Sequence, residues 1–210
     1  MGDGSLTRVG ESALLLRPDD PGEIPRLLLA VDSLRNPRVR DVVPGADSLL
    51  VVFDDAPLAD VEEQLRFLLA ERRPRQGASG ATEGSRAHVL RVVYDGPDLE
   101  RVGRSAGLST ADVVDLHRSA EYRVAFVGFQ PGFAYLAGLP ERLATPRLAT
   151  PRTRVPPGSL AIGGEWTGFY PSASPGGWNL VGRTGQRLFD PSAERPALLS
   201  PGDLVRIEPA

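Results

Sequence analysis

Between residues 128 and 185 lie eleven of the chain's 23 Gly and eight of its 20 Pro, in a window of 58 of the 210 residues. Gly weakens a strand interior and Pro removes a ladder donor, so no long regular element survives such punctuation. What remains is a series of short apolar runs: "YRVAFVGF", "GSLAIGG", "WTGFYP", "WNLVGR" and "DLVRIEP". They are separated by Pro-Gly, Gly-Gly and Pro-Gly-Asp turn signals. Many short strands at this spacing predict a closed or nearly closed β-barrel.

The residues before about 95 read differently. "ALLL" at 13–16 predicts a buried strand, and Ile24, Leu27, Leu28, Val31 and Leu34 recur at helical spacing after it. "VRDVV" and "SLLVVF" predict two strands joined by "PGAD". A second helix follows Pro57, with Leu58, Val61, Leu65, Leu68 and Leu69 on one stripe, and "HVLRVVY" at 88–94 reads as a last strand. The order β-α-β-β-α-β is the split βαβ, or ferredoxin-like, pattern. The expected organisation is therefore α+β in two domains, 1–95 and 96–210. "RRPRQGASGATEGSR" at 72–86 is small, polar and Gly-rich and reads as a mobile loop. Two short helices are expected at 98–106 and 109–118, the first ending at Gly107 and the second opening with Ser109 and Asp112 in a capping arrangement.

Composition excludes several chemistries. All 24 basic side chains are Arg, so there is no Walker A lysine, Schiff-base lysine, pyridoxal phosphate anchor or biotinyl-lysine in this sequence. The absence of Cys removes thiolate nucleophiles and cysteine zinc sites. His88 and His117 are too far apart for an HExxH-type motif, and neither a GxSxG elbow nor a GxGxxG loop occurs. No metal or prosthetic group is expected on this chain. No apolar run reaches the roughly 20 residues needed to span a bilayer, and the N-terminus lacks signal-peptide order. A net charge of -3 argues against general nucleic-acid affinity. The expectation is a cytoplasmic protein.

Eight of the 13 aromatics fall between Phe126 and Trp178, within the Gly- and Pro-rich region. Two readings stay open: a loop-built binding surface on a rigid barrel, or rings filling a core whose tight corners need Gly. On the first reading, "GFQPGFAYLAG" and "SPGGW" are two lips of one groove for substrate or partner. Its candidate residues are Phe129, Pro131, Gly132, Phe133, Tyr135, Arg147, Tyr170, Ser174, Gly176, Gly177 and Trp178, with Pro131 and Pro175 stiffening the lips. Among them Phe133, Tyr135, Tyr170 and Trp178, with several Arg, are also candidates as interface anchors. Thr-Pro-Arg occurs twice in "ERLATPRLATPRTRVPPGS", which should be extended because Pro disfavours helix at the residue before it. In an extended chain Arg152 and Arg154 can share a face, and Arg147 reaches it after a bend. Their planar guanidinium groups suit a carboxylate or phosphate. His117 is a candidate acid or base at the polar end of the groove, or a cation favoured by the end of its helix. His117, Arg152 and Arg154 form the candidate catalytic set.

The block "GFQPGFAYLAGLPERLATPRLATPRTRVPPGSLAIGGEWTGFYPSASPGGWNLVGRT" closely resembles the signature region of the KipI family, also called allophanate hydrolase subunit 1, the 5-oxoprolinase B subunit (PxpB) and carboxyltransferase domain subfamily 1. "VGESALLL", "YDGPDLERVGRSAGLSTADVVDLH" and "LFDPSAERPALLSPGDLVRIEP" extend the resemblance over nearly the whole chain, with Glu11 where the family usually has Asp. The resemblance implies a ferredoxin-like domain joined to a cyclophilin-like barrel. It implies a non-autonomous subunit of an ATP-dependent 5-oxoprolinase, with ATP bound by the complex. The partners it implies are a subunit 2 homologue (KipA, or the 5-oxoprolinase C subunit) and an A subunit of the LamB/YcsF type. Two alternatives accompany it: a regulatory protein inhibiting a sensor histidine kinase, and a carboxyltransferase or allophanate hydrolase-like subunit of a urea-amide pathway.

Overall fold

The computed structural model describes residues 4–20, 23–54, 59–70 and 85–210. The chain forms two compact units, Met1–Gly80 and Ala81–Ala210. The expected loop at 72–86 lies, apart from its last two residues, outside the described residues, as does Leu58.

In the first unit, β1 (Ser5–Val9), β2 (Ala13–Arg17), β3 (Val39–Pro44) and β4 (Leu49–Phe53) form an antiparallel sheet in the order β1-β2-β4-β3. Alternate residues Leu14, Leu16, Leu49, Val51 and Phe53 are buried in one core with Ile24, Leu27 and Val31 of α1 (Ile24–Ser33) and Val61, Leu65, Leu68 and Leu69 of α2 (Ala59–Ala70). Period 2 on the strands and period 3.6 on the helices present these apolar sets to each other. The sequence reading did not contain β1. Its residues SLTRV are mostly exposed and carry too little alternation to register as a strand.

The strand within 88–94 was expected to complete the first domain, and here the structure corrects the reading. β5 (Ala87–Val92) pairs in parallel with β13 (Leu204–Pro209) in the second unit, burying Leu90 and Val92 there. Hydrophobic alternation identifies a strand but not the sheet that receives it.

The second unit is a seven-stranded, nearly closed barrel in the order β12-β9-β10-β7-β6-β13-β5. Its other strands are β6 (Tyr122–Val127), β7 (Ala134–Ala137), β9 (Ser159–Gly163), β10 (Trp166–Phe169) and β12 (Asn179–Arg183). The ends meet where Val93, just past β5, exchanges two backbone hydrogen bonds of 2.9 Å with Arg183 on β12. A separate two-stranded ribbon joins β8 (Arg152–Val155) to β11 (Ser174–Gly176). α3 (Leu99–Ala106) ends at Gly107, whose φ of 64° is left-handed. α4 (Thr110–Ser119) begins with the Ser109–Asp112 capping box. Both helix boundaries follow the sequence reading.

The barrel strands have two buried faces. Leu160, Ile162, Phe169, Ala134, Leu136 and Val181 point into the main core, together with Val102 and Val113 of the helices. The intervening positions Ala161, Tyr135, Trp166 and Leu180 point the other way, into a second cluster around Phe133, Tyr170 and Trp178. On β6 a bulge at Ala125 shifts the register, so that Val124 pairs with Leu136 but Phe126 with Tyr135. One extra residue turns the strand over, and Phe126 stacks on Tyr135 at 4.2 Å on the second face.

Candidate functional site

The second face explains the mixture of rings and glycines. Trp178 lies flat against the barrel wall: a Cβ built on Gly163 would come within 2.5 Å of its indole, and one on Gly168 within 3.4 Å. Phe133 contacts Trp178, Tyr170 and Tyr135 edge-on at ring separations of 5.4, 5.2 and 5.1 Å. These are the separations at which edge-to-face pairs are favourable. Phe133, Tyr170 and Trp178 are buried, Trp178 being 4% exposed. They are therefore not free anchors for a partner, and the core-filling reading describes them.

The segments of the two expected lips meet at Phe133 and Tyr135, whose rings each stand 5.4 Å from that of Trp178, and further contacts reach the residues just before the second lip. The Ser172 hydroxyl donates to Gln130 Oε1 at 2.7 Å, and the Phe129 ring stands 5.4 Å from Phe133 and 6.1 Å from Tyr170. Gly132 adopts φ 80°, and a Cβ there would lie 2.8 Å from Phe189. Phe129 is unusual: it is 60% exposed and holds a φ of 68°. A bulky non-Gly residue in the left-handed region is a backbone outlier of the kind found at binding loops. Pro131 and Pro175 are exposed at the lip tips, and Gly177 accepts a 2.7 Å hydrogen bond from the Leu148 amide.

The arginines separate. β8 carries one extra residue against β11, so that Ser174 pairs with Val155 but Gly176 with Arg152. The bulge places Arg152 and the buried Val155 on the inner side of the ribbon and leaves Arg154 exposed. Arg152 and Arg154 do not share a face, because simple alternation fails across the bulge. Arg152 Nη2 bonds Asp98 Oδ1 at 2.8 Å, and Asp98 Oδ2 accepts the Leu180 amide at 2.7 Å. Arg147 lies over the Trp178 ring with its guanidinium carbon 5.8 Å from the centroid, within cation–π range. Burial pushes the Tyr170 hydroxyl up, opposed by a hydrogen bond from the Trp178 amide and by the charges of Arg147 and Arg152.

His117 is removed from the groove. It is fully buried, on the main-core side of the barrel wall. Thr167 Oγ1 donates to the Ala161 carbonyl at 3.0 Å and so accepts from His117 Nε2–H at 3.1 Å. His117 Nδ1 then accepts the Tyr94 hydroxyl at 2.8 Å, and Tyr122 donates to the His117 carbonyl at 2.6 Å. Thr167 faces the opposite way along β10 from Trp166 and Gly168, so the sheet stands between His117 and Trp178. Burial lowers the His117 pKa to about 3. The ring is neutral and both nitrogens are occupied, so neither an acid–base role in the groove nor a cation at a helix end describes it.

Three residues near the groove escaped the sequence reading: Asp98, Arg101 and Asn179. Arg101 Nε donates to Asn179 Oδ1 at 2.9 Å, while the buried Asn179 amide donates at 3.1 Å to the carbonyls of Pro146 and Ile162. The signal for Asn179 was its place beside Trp178, between apolar residues. Asp98 and Arg101 lie 54 and 78 residues from Arg152 and Asn179, the groups they bond, and gave none. Elsewhere, burial pushes the Asp203 carboxyl up, but the amides of Arg86 and Ser200, the His88 ring and the Arg86 charge outweigh it and hold it below its usual value. That cluster ties the start of β5 to the turn before β13. Among the described residues no group of three or more His, Asp or Glu could hold a metal, and no helix is long and apolar enough to cross a membrane.

The chain has relatives of known sequence and of known structure. The family described as "Carboxyltransferase domain, subdomain C and D" matches residues 5–199. A protein of Escherichia coli O157:H7 named as the B subunit of 5-oxoprolinase is 42% identical, over 96% of this chain and 94% of its own length. The crystal structure of TTHA0988 superposes with a TM-score of 0.76 at 36% identity over 95% of this chain, which spans 40% of that longer chain. The Kluyveromyces lactis urea amidolyase has a TM-score of 0.74 at 20% identity, over 99% of this chain and 15% of its own, a likeness of fold alone. The chain belongs to the carboxyltransferase domain, subdomain C and D family, among the proteins named as 5-oxoprolinase B subunits.

Proposed function

We propose that this chain is the B subunit of a heteromeric ATP-dependent 5-oxoprolinase, which opens the lactam of 5-oxo-L-proline with water to give L-glutamate while ATP is hydrolysed to ADP and phosphate. The observation that carries the reading is the 42% identity, sustained over nearly the full length of both chains, to a protein named as the B subunit of 5-oxoprolinase. The side-chain inventory supports a shared rather than a complete site. Without Lys or Cys, and with both nitrogens of His117 committed to hydrogen bonds, the chain brings arginines, hydroxyls and amides to its groove but no evident nucleophile. ATP and the rest of the machinery fall to the partners, a C-subunit homologue of the KipA type and an A subunit of the LamB/YcsF type, in the cytoplasm. The fold likeness to urea amidolyase carries the barrel and does not favour the urea-pathway alternative.

On this reading the barrel is the cyclophilin-like part. The first unit is a ferredoxin-like variant in which β1 occupies the edge seat beside β2 that the last strand would otherwise take. The groove between residues 129–133 and 170–178 faces substrate or partner, with Arg152 at its polar end.

Co-expression with the two partner proteins and assay of ADP and glutamate from 5-oxo-L-proline tests the assignment. Turnover by the assembly, with none from this chain alone, is expected. Full-rate turnover by the isolated chain contradicts a shared site, and an assembly inert towards 5-oxo-L-proline contradicts the assignment.

A further inference from the structure

The β8–β11 ribbon hides two polar atoms that no neighbour satisfies. Arg152 Nη1 and Ser174 Oγ are shielded from solvent and have no hydrogen-bond partner among the described residues. A buried group left unpaired is costly, and native structures seldom keep two such groups on one short ribbon without reason.

Their placement is common. Ser174 and Gly176 share a face of β11, and Arg152 stands directly opposite Gly176. A Cβ on Gly176 would come within 2.4 Å of the Tyr170 hydroxyl oxygen, so this face looks onto that hydroxyl. The Tyr170 hydroxyl carries a proton of its own to donate. This side of the ribbon thus offers three donors: a guanidinium N–H and two O–H groups. The charge is limited, because Asp98 already neutralises Arg152 through Nη2, and Arg147 is the remaining cation acting on Tyr170. One net positive charge with three donors suits a monovalent, two-oxygen anion better than a triphosphate.

We propose that Arg152, Ser174 and Tyr170 form a subsite for the single carboxylate of a small acid. This rests on the reading of the assembly as a 5-oxoprolinase, whose substrate carries one such carboxylate beside its lactam. The acid enters when the ribbon lifts. The ribbon is two-stranded and separate from the barrel sheet, and such pairs have little stability of their own. The exposed, strained Phe129 stands beside Tyr170 at the opening.

Ser174→Ala and Tyr170→Phe each remove one hydroxyl with little change of shape and leave the Arg152–Asp98 pair in place. In the assembled complex each is expected to raise KM for 5-oxo-L-proline about tenfold, the equivalent of one charge-assisted hydrogen bond, with KM for ATP unchanged. A raised KM for ATP instead, or unchanged KM values in folded, assembled variants, overturns the subsite. The isolated chain supplies a test independent of turnover, with amide chemical shifts of Ser174, Gly176 and Trp178 followed during titration. Cyclopentanecarboxylate and 5-oxo-L-proline should move them saturably, and the lactam 2-pyrrolidinone, which has no carboxylate, should not. Movement by 2-pyrrolidinone or inorganic phosphate alone, or by none of these compounds, rejects the carboxylate subsite. An assembly that does not open 5-oxo-L-proline while the acids still shift these amides leaves the subsite standing and removes the functional reading.

Discussion

Buried polar groups lie against both faces of the barrel sheet, and the two faces treat them in opposite ways. On the main-core side, His117, Tyr94, Tyr122 and Thr167 form a closed set in which each side-chain donor and acceptor described meets a partner at 2.6–3.1 Å. On the second side, Arg152 Nη1 and Ser174 Oγ are buried without partners among the described residues, and Phe129 is held in a left-handed backbone conformation. Fully satisfied polar groups fix a unique core, whereas buried unsatisfied ones are costly to keep and, with the strained Phe129 on the same face, are what the proposed subsite rests on. The titratable ring that makes His117 a candidate in the sequence belongs to the structural face.

The largest effect that would sharpen this contrast is structural and lies on the second face. Trp178 packs on the bare backbone of Gly163 and Gly168, so Trp178→Ala leaves a cavity that rigid strands cannot close. It should cost about 3–5 kcal/mol in chemical denaturation. A loss below about 1 kcal/mol would mean that the ring is a surface anchor rather than part of the core.

The main-core face should reveal itself through pH. His117 is held neutral down to about pH 3 by burial, while in the unfolded chain it takes up a proton near its ordinary value of 6.5. Below that value the unfolded state binds more protons than the folded one, so stability is full above about pH 6.5 and falls as the pH drops towards 3. Between pH 7 and 5 the His117 contribution to that loss is about 2 kcal/mol. Comparing His117→Gln with the parent over this range should show a correspondingly flatter dependence. Parallel curves for the two proteins would place the His117 ring in contact with water.

The smallest effect concerns Phe129. Gly adopts φ near 68° without strain and Ala does not, so Phe129→Gly should be more stable than Phe129→Ala by about 1 kcal/mol. Equal stabilities, or the reverse order, would mean that the loop relaxes and stores no strain.

How much of this could be read beforehand differs between the parts. The barrel, α3, α4 and their caps were legible because turn residues, alternation and the Ser109–Asp112 spacing are local signals. The nearness of the lips, at Phe133, Tyr135 and Trp178, followed from aromatics clustering with Gly and Pro. β1 was missed because its residues are mostly exposed and alternate too little, while two other features depended on pairing that no local pattern encodes: the sheet that receives β5, and the bulges at Ala125 and within β8. The bulges matter most for the site, since one of them sends Arg152 inward and Arg154 out. Asp98, which completes the Arg152 pair, is 54 residues away and could not be placed from spacing.

The second face does the work of binding, on this account, and the first face holds the barrel together. The most direct test is kcat/KM for 5-oxo-L-proline in the assembled complex, measured for His117→Gln and Tyr170→Phe at a temperature where both are folded. His117→Gln should stay within about threefold of the parent while Tyr170→Phe falls about tenfold. Loss of turnover in a folded, assembled His117→Gln complex, with Tyr170→Phe unaffected, would contradict the division of roles between the two faces.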